Sequence, residues 1–270
     1  MNKSKNAPDM SGVNKTMYIP LYGKALVSSK GLFLSDKCAE NIWSSEGFSL
    51  KGKAKSKWLA YYMGIRAAVF DEWVKSLSAD GALTVLHIGC GMDSRATRVG
   101  TRATIWYDID FPEVIEERKK YFTENAEYRM ISCDVRDLCW LDSVNACERV
   151  AVVMEGVSMY MSESEIRALL SAVCERFESV SVLMDCYSVF AAKMSKYKNP
   201  VNTVGVTEVH GIDDPKTLEV EGLCFKAQLD MTPPKYIEEL KGSEKFIFRK
   251  LYSGKFARKL YKLYEYSTAR

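Results

Sequence analysis

The chain has 270 residues, 47% of them hydrophobic, with 38 Lys and Arg against 35 Asp and Glu for a net charge of +3. That is enough chain to bury the core of one large α/β domain, and the near-balance of charge gives no general reason to expect a nucleic-acid partner. No apolar run approaches the length of a membrane span and the polar N-terminus lacks the apolar stretch of a signal peptide, so no membrane association and a cytoplasmic location are expected.

Residues 1–16, rich in Lys, Asn and Ser, read as a mobile tail. Met17 to Trp43 reads as short helices broken at Gly23 and Gly31, and Ser44 to Lys57 as a Ser-, Gly- and Lys-rich loop. Trp58, Tyr62, Ile65, Val69 and Trp73 recur at helical spacing and predict one long amphipathic helix. Residues 17–81 are therefore expected to form a helical cap, with residues 82–270 as the core. No internal repeat is present.

From Ala82 strands and helices alternate, which predicts a mostly parallel sheet covered on both faces. Leu83 to Ile88 is a short β-rich run followed at once by Gly89-Cys90-Gly91 and a helix-sized segment. A second run from Ala103 to Tyr107 closes on Asp108-Ile109-Asp110, and Pro112 is placed to open a helix in its first turn. Glu127 to Cys133 reads as a third strand and Arg149 to Met154 as a fourth, ending at Glu155-Gly156. Ser162 and Glu165 make a capping box ahead of the stripe Ile166, Leu169, Leu170, Val173, Cys174 and Phe177. Val180 to Asp185 is a fifth strand. A helix to about Lys198, a loop to Pro215 and two strands around a helix starting at Pro233-Pro234 complete the pattern, with an insertion in the core expected around residues 188–220.

The eight cysteines include no C-x-x-C, and neither they nor His87 and His210 show metal-ligand spacing, so free thiols and no metal are expected. From Lys235 onward ten Lys or Arg face four Glu, interleaved with Tyr and Phe. That reads as a solvated basic face, since no nucleic-acid-binding module accompanies it.

The glycine turn followed about 20 residues later by an acid is how a nucleotide-type cofactor site begins: the glycines let backbone approach the ligand and the acid takes the ribose hydroxyls. A dinucleotide fingerprint places a third glycine where Ser94 stands. S-adenosylmethionine has adenine and ribose but no phosphates, and so needs the acid more than that glycine. In a doubly wound sheet ligands bind beyond the carboxyl ends of the strands, where the Gly89 turn, Asp110, Asp134 and Glu155 all fall. Each alone is explained by a turn, a helix start or solvation; together they line one rim.

The chain resembles the leucine carboxyl methyltransferase family, and more closely its bacterial branch of polyketide-type O-methyltransferases. Seven stretches in order carry the resemblance, from Ile19-Pro20-Leu21-Tyr22-Gly23-Lys24-Ala25 and Gly64-Ile65-Arg66-Ala67 through His87 to Arg95 and Tyr107 to Pro112. Ser132 to Asp137, Glu155 to Met161 and Gly211-Ile212-Asp213-Asp214-Pro215 complete them, so that it runs from about residue 17 to 220. It implies a Rossmann-like, doubly wound, mostly parallel seven-stranded sheet with the N-terminal helices closing over S-adenosylmethionine as a lid. Lys24 and Arg66 would hold the methionine carboxylate, Gly89 would face the cofactor through its backbone, and Asp110 would bind the ribose. Asp134 and Val135 would flank the adenine, and Glu155 would approach the methionine amino end. Taken alone, Lys24 and Arg66 read as surface and helix-face charge.

The expected activity is O-methylation of a small-molecule carboxylate or phenolic hydroxyl. A carboxylate arrives ionised and needs no base, whereas a phenol profits from one. His87 stands where relatives carry another polar residue and reads as a satisfied strand histidine. His210, beside the loop that lies near the acceptor in this family, is the one candidate base. The alternatives are a methyltransferase acting on the C-terminal carboxylate of a protein and a non-catalytic S-adenosylmethionine-binding module. An NAD-dependent oxidoreductase is disfavoured by Ser94. The oligomeric state is not legible.

Overall fold

The computed structural model describes residues 16–45, 47, 50, 52–100, 104–145, 147–198 and 209–268. Three helices come first: α1 (Tyr18–Ser29), α2 (Lys37–Ser45) and α3 (Lys57–Ser78). The alternating part runs β1 (Leu83–Ile88), α4 (Arg95–Val99), β2 (Thr104–Asp110), α5 (Pro112–Arg118), β3 (Tyr128–Ser132) and β4 (Arg149–Met154). Then come α6 (Glu163–Arg176), β5 (Ser179–Tyr187), α7 (Val189–Lys198), β6 (Leu223–Leu229), α8 (Pro234–Glu239), α9 (Gly242–Leu251), α10 (Ala257–Leu260) and β7 (Tyr261–Thr268). The seven strands form one sheet in the order β3-β2-β1-β4-β5-β7-β6, the first five parallel and β7 antiparallel to both its neighbours.

The sheet is buried on both faces, and the alternation along its strands shows why. Leu83 and Val85 of β1 and Ala151 and Val153 of β4 join one core, with α1, α2, α3, α8 and α9. Leu86, Ile88, Val150, Val152 and Met154 join the other, under α6. Successive side chains of a strand point to opposite faces, so one hydrophobic run serves two layers. The Ser162 capping box is present at the start of α6, with the hydroxyl accepting from the Glu165 amide.

Several sequence expectations change. Gly23 does not break its helix: α1 runs through it, because a Cβ there would meet the Cβ of Met63 at 2.9 Å, and a Cβ on Gly64 would meet Val27 at 2.7 Å. The two glycines let α1 and α3 cross closely. The long helix is present as α3, but it is buried almost all round from Ala60 to Val74, sandwiched between the sheet and the outer helices. The segment after the glycine turn forms only the five-residue α4. β5 is longer than expected because β7 pairs with it to Tyr187. The tail expected at residues 1–16 lies, apart from Thr16, outside the described residues, as do Ala103 and residues 199–208 of the expected loop.

All eight cysteines are free thiols. The basic residues beyond position 234 include several solvated pairs, Lys245 and Arg249 with Glu238 and Arg258 with Asp230. Among the described residues no helix is long and apolar enough to cross a membrane.

Candidate cofactor site

The strand order reverses between β1 and β4, and the parallel register carries one row of residues across that point. Ile88 pairs with Ile109 on one side and Met154 on the other, and Met154 pairs with Met184. One residue further along each strand stand Asp110, Gly89, Glu155 and Asp185. The sheet thus delivers three carboxylates and a bare backbone to one level of its carboxyl rim, where open α/β sheets bind ligands.

Above that row lies a cavity of about 240 Å³. Lys24, Arg66, Gly89, Asp110, Asp134, Val135 and Glu155, drawn from positions 131 residues apart at the extremes, all line it, together with Met17, Pro20, Asp93, Tyr160 and others. The N-terminal helices form its outer wall. Met17 lies so close to the glycine turn that a Cβ on Gly91 would come within 3.1 Å of its own Cβ. Gly89 has φ +63° and a Cβ there would run into Val157 at 2.2 Å, so both backbone conformation and space demand glycine.

Asp110 caps the turn. Its carboxylate accepts from the Gly91 amide and from the Phe111 amide, each at 2.8 Å. Burial pushes its carboxyl above the usual range in spite of those two bonds. Asp134 stands at the far side, where Arg136 folds back on it at 2.8 Å. That hydrogen bond holds the Asp134 carboxyl below its ordinary value.

Glu155 is the centre of a buried ionic network. Arg66 donates to it through Nε at 3.0 Å and Arg95 through Nη2. Burial works against its charge, but Arg95, Arg66 and Lys24 outweigh that and hold the carboxyl at about 2. Arg66 also donates through Nη1 to Asp185 and to the hydroxyl of Tyr261, both at 2.8 Å. Lys24 pairs with Asp93 at 2.9 Å, and Asp93 also meets Arg98 at 3.0 Å and Arg95 at 3.3 Å. Burial disfavours the Asp93 charge, yet its cations hold the carboxyl well below the usual range.

Deeper in the sheet, His87 joins Asp108 through Nδ1 at 2.9 Å and Arg95 through Nε2 at 3.0 Å. Arg118 donates to the carbonyls of Gly91 (2.7 Å) and Asp93 (2.9 Å) and to Asp108, bracing the glycine turn from below.

His210 stands apart. It is exposed, does not line the cavity, and its backbone amide donates to Met159 at 2.8 Å. Asp93, Arg95, Arg98, Arg118 and Asp185 carry the network and were given no role from sequence. Asp93 and Arg95 stand just beyond the glycine turn and Asp185 at the end of a predicted strand, so the strand-end rule reaches Asp185.

The leucine carboxyl methyltransferase family model matches residues 15–174. The tetracenomycin polyketide synthesis O-methyltransferase TcmP of Streptomyces glaucescens is 30% identical over 243 residues, spanning 88% of this chain and 90% of its own. The S-adenosyl-L-methionine-dependent methyltransferase dpfgK of Gibberella zeae is 26% identical, spanning 83% of this chain and 84% of its own. Among solved structures, a candidate methyltransferase from Thermobifida fusca YX superposes with a TM-score of 0.54 at 9% identity over 92% of this chain and 94% of that one. Magnesium protoporphyrin IX methyltransferase from Synechocystis PCC 6803, solved with S-adenosylhomocysteine, gives 0.50 at 12% identity over 95% and 100%.

Proposed function

The chain belongs to the leucine carboxyl methyltransferase family, and we propose that it methylates an oxygen of a small-molecule acceptor, a carboxylate in first place and a phenolic hydroxyl in second. It is an S-adenosylmethionine-dependent methyltransferase. The observation that carries the reading of the site is the convergence of the Gly89 turn, Asp110, Asp134, Glu155, Lys24 and Arg66 on one cavity at the point where the strand order reverses.

The cavity suits this cofactor. Its cationic side chains are Lys24, Arg66 and Arg136, and its carboxylates are Asp93, Asp110, Asp134 and Glu155. A wall with more acids than bases favours a ligand that brings a sulfonium and an ammonium against one carboxylate. A pyrophosphate would meet the wrong sign, and the third glycine of a dinucleotide site is replaced by buried Ser94, whose hydroxyl donates to Asp36 at 2.5 Å. When bound, S-adenosylmethionine supplies an electrophilic methyl group on sulfur.

In this reading Lys24 and Arg66 hold the methionine carboxylate and Glu155 accepts from the ammonium. Asp110 still has lone pairs for the ribose hydroxyls, Asp134 for the adenine amino group, and Val135 packs on the ring. Met17, Pro20 and Lys24 cover the cofactor and keep water from the reacting centre.

The protein's task is then alignment and water exclusion. What supports a carboxylate acceptor is the state of the phenol and thiols in the wall. Tyr160 is pushed up to about 12 by burial, as is the Cys133 thiol, and burial raises Cys90 as well. Both ring nitrogens of His87 are engaged. Burial keeps the Tyr160 phenol and the two thiols protonated, so they take no proton from an acceptor, and an acceptor that arrives ionised needs no base.

The test is a screen of small acids and phenols with S-adenosylmethionine, read by formation of S-adenosylhomocysteine and by the product. A methyl ester falls apart in mild alkali and a methyl ether does not. Alkali-labile product supports the carboxylate; alkali-stable product assigns the hydroxyl; turnover only on a protein C-terminus would overturn the small-molecule reading.

A further inference from the structure

His87 lies at the end of β1, buried between the cavity floor and the neighbouring strand, and its surroundings leave one protonation pattern. Arg95 has only donors, so the contact between Arg95 Nη1 and His87 Nε2 at 3.0 Å requires Nε2 to accept. The proton is then on Nδ1 and is donated to Asp108 at 2.9 Å. Asp108 is itself fixed, because its other oxygen accepts from Arg118 and from the Tyr128 hydroxyl at 2.7 Å. His87 is therefore a rigid acceptor aimed at one edge of a fully buried guanidinium.

The other edges of that guanidinium explain the consequence. Arg95 Nε donates to Asp71 at 2.8 Å, and Nη2 turns to Glu155 and Asp93, two of the four carboxylates that line the cavity. Asp71 holds one corner and His87 a second, so the direction of Nη2 is determined. Without the His87 acceptor, Nη1 would be a buried donor short of a partner, and the planar guanidinium could swing about its Cδ–Nε bond to find one.

We propose that His87 is a positioning residue for cofactor binding: its unprotonated Nε2 sets the rotation of Arg95, and Arg95 sets the carboxylates of Glu155 and Asp93 against the cofactor. This rests on the assignment of Glu155 to the methionine ammonium.

Two near-isosteres separate positioning from mere structural support. His87→Gln places an amide oxygen near the position of Nε2 and keeps the acceptor for Arg95. His87→Asn reaches only the Nδ1 position, keeping the donor to Asp108 and losing the acceptor. The expected result is that the Gln variant binds S-adenosylmethionine within about threefold of wild type, while the Asn variant binds about tenfold more weakly, the scale of one lost charge-assisted hydrogen bond. Calorimetry gives the affinities, and thermal unfolding reports the fold.

Equal affinities in the two variants, or losses that track thermal stability alone, would overturn the proposal. Arg95→Lys supplies the second arm, because a lysine cannot reach His87, Asp71 and Glu155 together. In that background His87→Asn and the His87 parent should bind the cofactor alike, and a further loss on adding His87→Asn contradicts the coupling. If wild type binds the cofactor and Glu155→Gln binds it equally well, the failure lies in the assignment of Glu155 rather than in the His87–Arg95 coupling, which the Lys background still reads.

Discussion

The amide of Gly91 donates to the carboxylate of Asp110 at 2.8 Å, tying the glycine turn after β1 to the acid that ends β2. The parallel pairing of the two strands brings them to the same rim, and φ +50° at Gly91 gives the turn the path that only glycine takes without strain. Backbone amides thus hold the Asp110 carboxylate in place at the rim proposed to bind the cofactor.

Gly89→Ala should be severe. The new Cβ would stand 2.2 Å from Val157 Cγ2 at φ +63°. Strain and overpacking together should cost about 3 kcal/mol and abolish cofactor binding. Gly222→Ala is the control: its φ is +80° with nothing within 4 Å, so backbone strain alone should cost about 1 kcal/mol with unchanged affinity. Urea midpoints and calorimetry on both variants check the contrast.

Arg66 and Lys24 should differ in what they carry. Arg66→Met leaves Asp185 without its cation and Glu155 with Arg95 as its direct salt-bridge partner, and should cost about 3–5 kcal/mol of stability. Lys24→Met leaves Asp93 still paired with Arg98 and Arg95 and should cost less. Both should weaken cofactor binding by about tenfold or more. Denaturation curves beside titrations separate the two effects.

Acid should loosen the network in a defined window. The Glu155 carboxyl is held at about 2, below its ordinary value of 4.5. A depressed carboxyl contributes stability that is present above the unfolded value and lost as pH falls through the folded one. The contribution therefore drains between about pH 4.5 and pH 2. Asp93 is shifted in the same direction, so its contribution is also lost on acidification. Glu155→Gln should be less stable at neutral pH and show a shallower acid slope, measured by urea midpoints from pH 6 downward.

The strands and the rim were legible in the sequence, and the network beneath was not. β1 and β4 could be bounded from their apolar runs because each is bracketed by turn residues, and the rule that ligands bind at strand ends picked out Gly89, Asp110, Asp134 and Glu155. Lys24 and Arg66 were legible only through resemblance, since a cation on a helix reads as solvated until its partner is known. Arg66 meets Asp185 119 residues away and Arg95 meets Glu155 60 away, and no local pattern encodes such pairings. Gly23 misled for the same reason: its role is set by Met63 on another helix. The helices α9 and α10 were missed because their charged, aromatic-rich stretch has a weak apolar stripe, with Phe246 exposed and Phe248 alone buried in α9.

Every assignment at this rim depends on S-adenosylmethionine binding there through Asp110. Calorimetric titration of wild type and Asp110→Ala with S-adenosylmethionine and S-adenosylhomocysteine tests it most directly, with thermal unfolding run on both proteins. Wild type should bind on the order of micromolar, and a folded Asp110→Ala at least about tenfold more weakly. No binding of either ligand to wild type, or equal binding by the variant, would contradict it.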